Sequence, residues 1–146
     1  MNNQNFTVTL LVDHSPKVVF DAVRNVRGWW KQDLVGKTEK LDDEFSVRFG
    51  DVHYSKQRLT EVIQDTKVLW LVTDSHLSFL HDKSEWTGTR ISFEINREGD
   101  KTQLRFSHLG LLPEIECYAA CSNAWGGYIN NSLLSLIHTG IGKPTK

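Results

Sequence analysis

Apolar and polar residues alternate in two distinct rhythms along this chain, and the rhythm changes mark its elements. Phe6, Val8, Leu10 and Val12 alternate with Thr7 and Thr9, the period-two pattern of a half-buried strand. Asp13-His14-Ser15-Pro16 then supplies an N-cap serine followed by a first-turn proline. Val19, Phe20, Val23 and Val26 follow at helical spacing, which predicts a helix from Pro16 that fades by Arg27. Gly28 breaks it, and Trp29-Trp30 puts two very large side chains at the junction, where such a pair plugs one end of a core.

The period of two returns at Phe45, Val47 and Phe49, with Ser46 and Arg48 opposite. A turn at Gly50-Asp51 leads to a second strand from Tyr54 to Ile63. Beyond Gln64-Asp65-Thr66, Val68 to Thr73 is apolar on both faces, so this strand is expected to be central or covered on both sides. Asp74 to Gly88 is the least regular stretch and reads as a loop or a short irregular strand, the best candidate for a mobile lid. Ile91, Phe93 and Ile95, the turn Glu98-Gly99-Asp100, and Leu104, Phe106 and His108 then form a hairpin with one wet face.

The last element is the longest. From Glu114 to Gly140, Tyr118, Cys121, Trp125, Tyr128, Ile129, Leu133, Leu136 and Ile137 recur at steps of three and four. Pro113, Glu114 and Glu116 mark its start, and Gly140 its left-handed stop. No Asp, Glu, Lys or Arg lies between Cys117 and Thr139, so the helix is expected to sit in a groove made by the rest of the chain rather than on an ordinary wet surface. Strand, helix, hairpin-linked strands and a final long helix make an α+β domain whose sheet curls around that helix.

The 146 residues suit one domain, residues 1–146, that can bury roughly two-thirds of its unfolded surface. A net charge of −1 and a pI near 6.6 leave no basic footprint for nucleic acid or an anionic membrane. Met1 to Asn5 has neither the basic nor the apolar part of a signal peptide, and the uncharged helix carries Asn123, Asn130, Asn131 and paired glycines. A cytoplasmic protein with no membrane span is the expectation. Cys117 and Cys121 stand one helical turn apart; they read as small, buried, reduced residues rather than metal ligands, since a structural zinc takes four ligands.

Ser15-Pro16-Lys17-Val18-Val19-Phe20-Asp21-Ala22 leading to Trp29-Trp30, Leu59-Thr60-Glu61-Val62 before Val68-Leu69-Trp70, and Gly88-Thr89-Arg90 with Thr102 to Leu111 form a recognisable series with Trp125-Gly126, Leu133, Leu136 and Gly140. The series resembles the START-like (SRPBCC, helix-grip) superfamily, and within it the bacterial homologues of the activator of the heat-shock protein 90 ATPase, a stress-response setting. The resemblance covers nearly the whole chain. It implies a bent antiparallel sheet gripping the C-terminal helix, with two short helices after the first strand and a cavity that relatives use for apolar ligands. The eukaryotic activator has a further domain for chaperone docking, so chaperone activation is not carried over.

Residues in phase with the inner faces are expected to line that cavity: Phe49, Phe93, Phe106 and His108 from the strands, and Tyr118, Trp125 and Tyr128 from the helix, beside Phe45, Val47, Ile91, Ile95 and Leu104. Trp29, Trp30, Trp70 and Trp86 are expected at its mouth, where their flat faces and single donors suit a ring or an acyl chain. His108 is placed inward, either to bond a ligand or to be satisfied by Tyr118, Tyr128 or the backbone. Gly126-Gly127 in mid-helix implies a close approach of the sheet or room left open.

With no acid on the predicted inner faces, and no Ser-His-Asp order, phosphate loop or carboxylate pair, no catalytic residue, metal or cofactor is expected. The leading expectation is a small-molecule binding protein for an apolar or aromatic ligand. A protein-interaction module of the co-chaperone kind, as monomer or homodimer, is the alternative, and an enzyme of the cyclase or dehydratase type the third.

Overall fold

Strand pairing dominates the computed structural model, which describes residues 5–112 and 116–146. Seven strands, β1 (Phe6–Val12), β2 (Val35–Gly36), β3 (Glu44–Phe49), β4 (His53–Ile63), β5 (Lys67–Leu77), β6 (Arg90–Glu98) and β7 (Lys101–Leu109), form one antiparallel sheet. Their spatial order is β1-β7-β6-β5-β4-β3-β2, so the first strand closes against the last, with Phe6 opposite His108 and Val12 opposite Thr102. Register shifts between Lys56 and Gln57 and between Leu59 and Glu61 break the β4–β5 ladder. Bulges of this kind bend a strand and increase its twist, which curls the sheet.

The N-cap reading of α1 (Pro16–Arg24) holds: Val18 N donates to Ser15 Oγ at 3.2 Å, with proline in the first turn. A short 3₁₀ turn, Val26–Gly28, delivers Trp29 and Trp30 into the core, and Trp29 Nε1 donates to Val23 O at 3.1 Å. The two tryptophans stack on Trp70 at centroid distances of 6.4 and 5.9 Å. They plug this end of the core, as the junction predicted.

The C-terminal helix is continuous from Tyr118 to Thr139 but not uniform. It runs as α2 (Tyr118–Gly127), a π-helical segment (Tyr128–Leu133) and α3 (Leu134–Thr139), and Gly140 stops it at φ 82°. The predicted start at Pro113 and Glu114 lies outside the described residues. Buried Cys121, Trp125, Ile129, Leu133 and Ile137 fall at steps of four. Each such step overshoots a regular turn by about 40°, so the widened π turn is what keeps all five facing the sheet. The expected groove exists, but one face of the helix, including Ala119, Asn123, Asn130 and Asn131, is exposed. Small and neutral polar side chains there meet water without charge.

Two further expectations are corrected. Strand β2 escaped the reading because two residues show no alternation; its Gly36, at φ 113°, lies where a Cβ would meet Glu44 O at 2.2 Å. Strand β5 extends through Leu77, so the first residues of the stretch read as irregular are strand. The turns that follow are pinned by Trp86, which is only 4% exposed, and by Gly88 N donating to Val72 O at 2.8 Å. The doubly apolar β5 is central, fourth of the seven strands, with its outer Leu69 and Leu71 half-buried.

Beyond Gly140 the chain turns back across the tryptophan junction. Gln32 N donates to Thr145 O at 2.8 Å, Thr145 N to Trp30 O at 3.0 Å, and the Thr145 and Tyr128 hydroxyls bond each other. Buried Ser132 donates to Trp29 O and accepts from Lys143 N, both at 2.7 Å. Gly142 passes so close that a Cβ there would sit 2.1 Å from Gly28 O.

Candidate functional site

A cavity of ≈210 Å³ opens between the curled sheet and the first half of the C-terminal helix. The helix contributes one face, Ala120, Cys121, Ala124, Trp125 and Tyr128, spaced by one turn. Phe49, Val52 and His53 come from the β3–β4 hairpin, Trp30 from the junction, and Phe79 and Trp86 from the turns after β5. Val52 and Phe79 are 54% and 48% exposed and stand at the mouth. Inside, Trp86 stacks on Trp125 at 5.9 Å and 13°, Trp30 meets Trp125 at 4.8 Å, and the His53 ring stands edge-on to Trp86 at 4.8 Å. Among the described residues no Asp, Glu, Lys or Arg lines the space.

The helix glycines are not part of this lining. A Cβ at Gly126 or Gly127 would meet nothing within 4 Å, so neither residue marks a close backbone approach. Of the two readings of the glycine pair, open space is the one that applies.

A polar side chain of the wall is His53, at the head of a short seam along the inner face of β4. His53, Ser55 and Gln57 alternate with outward Tyr54, Lys56 and Arg58. Gln57 Nε2 donates to Ser55 Oγ at 2.6 Å, and Ser55 Oγ lies 2.9 Å from His53 Nε2. The serine oxygen, accepting from Gln57, keeps its own proton and a second lone pair, so the tautomer of His53 decides which of the two donates across this contact. Burial pushes the His53 pKa down to about 4, so the ring is neutral near pH 7. Beside this seam, Gln57 Oε1, Trp70 Nε1 and Trp86 Nε1 are buried without a hydrogen-bond partner among the described residues.

His108 is fully buried behind Trp86 and Trp125, and both its ring nitrogens are engaged. Trp125 Nε1 donates to Nδ1 at 3.0 Å, and Nε2 lies 2.9 Å from Thr89 Oγ1. Thr89 gives its own proton to Trp86 O at 2.6 Å, so His108 Nε2–H donates to Thr89. Burial first, and the neighbouring His53 second, hold the His108 pKa down to about 3. The residue is satisfied by Trp125 and Thr89, not by Tyr118, Tyr128 or a backbone group.

Of the residues expected at the site, Trp30, Phe49, Trp86, Trp125 and Tyr128 line the cavity. Trp29, Trp70, Phe93 and Phe106 form the packed layer beneath, with Phe106 4.8 Å from Trp125 and Phe93 4.9 Å from Trp70. Tyr118 packs edge-on to Phe6 at 6.4 Å, away from the opening. His53, Val52, Phe79 and Cys121 were not anticipated. The signal for His53 was present: outward Lys56 and Arg58 fix the phase of β4 and send His53, Ser55 and Gln57 inward.

The cysteine reading is also corrected. Cys117 and Cys121 are joined as a disulfide across one helical turn, Cα to Cα 5.5 Å, a separation that suits such a bond. Both are buried, and the turns after β5 are tied to this end of the helix: Cys117 N donates to Glu85 Oε1 at 3.2 Å and His81 N to Glu116 Oε1 at 2.9 Å. Among the described residues no three His, Cys, Asp or Glu side chains converge as a metal site, and no helix is long and apolar enough to cross a membrane.

No protein-family model and no curated protein matches this chain. Solved structures do. The Aha1 dimer from Colwellia psychrerythraea, determined in solution, is similar with a TM-score of 0.74 and 22% identity over 94% of this chain and 98% of that one. SSP2350 from Staphylococcus saprophyticus gives 0.69 and 11% identity over 97% of both chains. DynU16, a protein of the dynemicin biosynthetic locus, gives 0.67 and 16% identity over 97% of this chain, which spans 49% of its length. At these identities the likeness shows the fold, a curved antiparallel sheet gripping a C-terminal helix.

Proposed function

We propose that this protein binds a small apolar or aromatic compound in the cavity between its sheet and its C-terminal helix. The observation that carries the reading is the uncharged, aromatic-walled space of ≈210 Å³ beside a seam of buried polar groups. Protein interiors rarely leave such room, because an unfilled void forfeits the packing contacts of its lining. A mostly apolar concavity with a few convergent polar groups is the general form of a small-molecule site. Native mass spectrometry of protein purified gently from its host tests the reading. A discrete adduct that is lost on denaturation is the expected result; a bare chain mass together with no thermal shift from any small aromatic would overturn it.

A second reading, a protein-interaction module of the co-chaperone kind, draws on the exposed Val52 and Phe79 at the cavity mouth and on the dimeric Aha1 neighbour. Light scattering behind a sizing column, followed by a pull-down, separates the two. A self-associating chain whose Phe79→Ser variant is monomeric supports the second reading, and a monomer that recovers no partner removes it.

A further inference from the structure

We propose that the cavity selects small neutral aromatic molecules carrying one hydrogen-bond-accepting oxygen, and that the His53 ring N–H is the group that reads this oxygen. The inference rests on the ligand-binding function proposed above and adds the ligand class to it.

Size gives the first limit. A dry protein cavity of about 150 Å³ takes benzene, so the ≈210 Å³ here accommodates one ring with a few substituent atoms, or a fused bicycle. A long acyl chain exceeds it. Shape points the same way, because Trp30, Trp86, Trp125 and Phe49 present flat faces and edges, which suit another ring in stacked or edge-on contact.

Charge gives the second limit. With no cation among the described residues of the lining, a carboxylate or phosphate entering this space would lose its hydration and gain no counter-charge from them. His53 does not supply one, since its ring is neutral at ordinary pH. Lys31, the nearest buried ammonium beside Phe49, is committed to Asp33 at 2.8 Å and to the Lys146 carbonyl.

The hydrogen-bond chain gives the third. Gln57 donates to Ser55; with Ser55 donating in turn to His53 Nε2, the tautomer this inference adopts, the ring proton sits on Nδ1, which has no acceptor among the described residues. A bound ligand oxygen satisfies that donor; a bare hydrocarbon packed against it leaves it unmet, which lowers the affinity of the hydrocarbon relative to the oxygenated ring.

Isothermal titration calorimetry of the whole chain with acetophenone, ethylbenzene, benzoate and hexadecanoate tests the class. Acetophenone should bind about tenfold more tightly than ethylbenzene, its counterpart without the oxygen, and benzoate and hexadecanoate should bind more weakly than either. In His53→Phe the ketone and the hydrocarbon should bind equally, and in His53→Asn, which keeps a side-chain donor, part of the preference should return. The wild-type comparison stands whether or not a variant folds. Equal affinity for ketone and hydrocarbon in the wild type, or a tighter benzoate or hexadecanoate complex, overturns the ligand class and leaves the binding function standing. No binding of any probe overturns both.

Discussion

Trp125 gives its indole proton to His108 Nδ1 at 3.0 Å, so a cavity residue of the helix is fixed to a fully buried histidine of the last strand. Trp125→Phe should therefore strand an imidazole acceptor in the core, at a cost of about 1–3 kcal/mol. His108→Leu removes the acceptor and leaves the indole donor unpaired. The double variant should be less destabilised than the sum of the single changes. Urea denaturation of the four proteins checks this, and strict additivity would refute the coupling.

The two buried histidines set an acid limit. Their pKa values fall from 6.5 to about 4 for His53 and about 3 for His108 on folding. Between those values and 6.5 the unfolded chain binds protons that the folded chain refuses, so stability should be full above about pH 6.5 and decline steadily as pH falls toward 4. Thermal melts at pH 7.5, 6, 5 and 4.5 measure the slope. His108→Gln should flatten it, and a wild-type profile that is level from 7.5 to 4.5 would contradict the burial argument.

Filling the mouth separates binding from folding. Ala124 lines the cavity from the exposed flank of the helix, so Ala124→Phe can enter the space without displacing core atoms. Acetophenone affinity should drop at least about tenfold while the melting temperature changes little. Retained affinity would mean that the ligand sits elsewhere.

The glycines should respond in opposite directions. Gly126 is helical with open space around its missing Cβ, so Gly126→Ala should stabilise the fold by up to about 1 kcal/mol. Gly142→Ala drives a methyl into Gly28 O and should destabilise by about 1–3 kcal/mol. Chemical denaturation of the two variants reports both signs.

The Cys117–Cys121 bond makes the intact chain lighter by two hydrogens than its reduced form and blocks both thiols from iodoacetamide. Reduction should open the first turn of the helix and cost about 2 kcal/mol, the chain-entropy value for so short a loop. Two alkylated cysteines in protein prepared without reductant would show the bond to be absent.

Much of the fold was legible because its signals are local and redundant. Alternation from Phe6 to Val12, the Ser15-Pro16 cap and the Leu104 to His108 strand each carry a period that only one element satisfies. The site was harder to read. Trp29, Trp30, Trp70, Trp86 and Trp125 are alike in sequence, yet three line the cavity and two lie in the layer packed behind it. That division depends on which strand stands behind which, a long-range property that periodicity does not encode. His53 is the converse case: its phase was available from Lys56 and Arg58, but a histidine at the start of a strand is locally indistinguishable from a turn residue. The disulfide was missed because a one-turn cysteine spacing fits thiols, ligands and a bond equally well.

The π turn at Tyr128–Leu133 divides the final helix into two halves with different partners. Upstream of it, Cys121 and Trp125 shape the chamber; near its end, Ser132 takes the Lys143 N–H and bonds Trp29 O, latching the tail that follows the helix. Deleting a single residue within the turn would regularise the hydrogen bonding yet rotate one half against the other by about 100°, misaiming either the chamber or the latch. Substitutions confined to the first half leave that phase intact, so this scaffold can exchange the walls of its chamber, and with them its ligand, without reworking its closure.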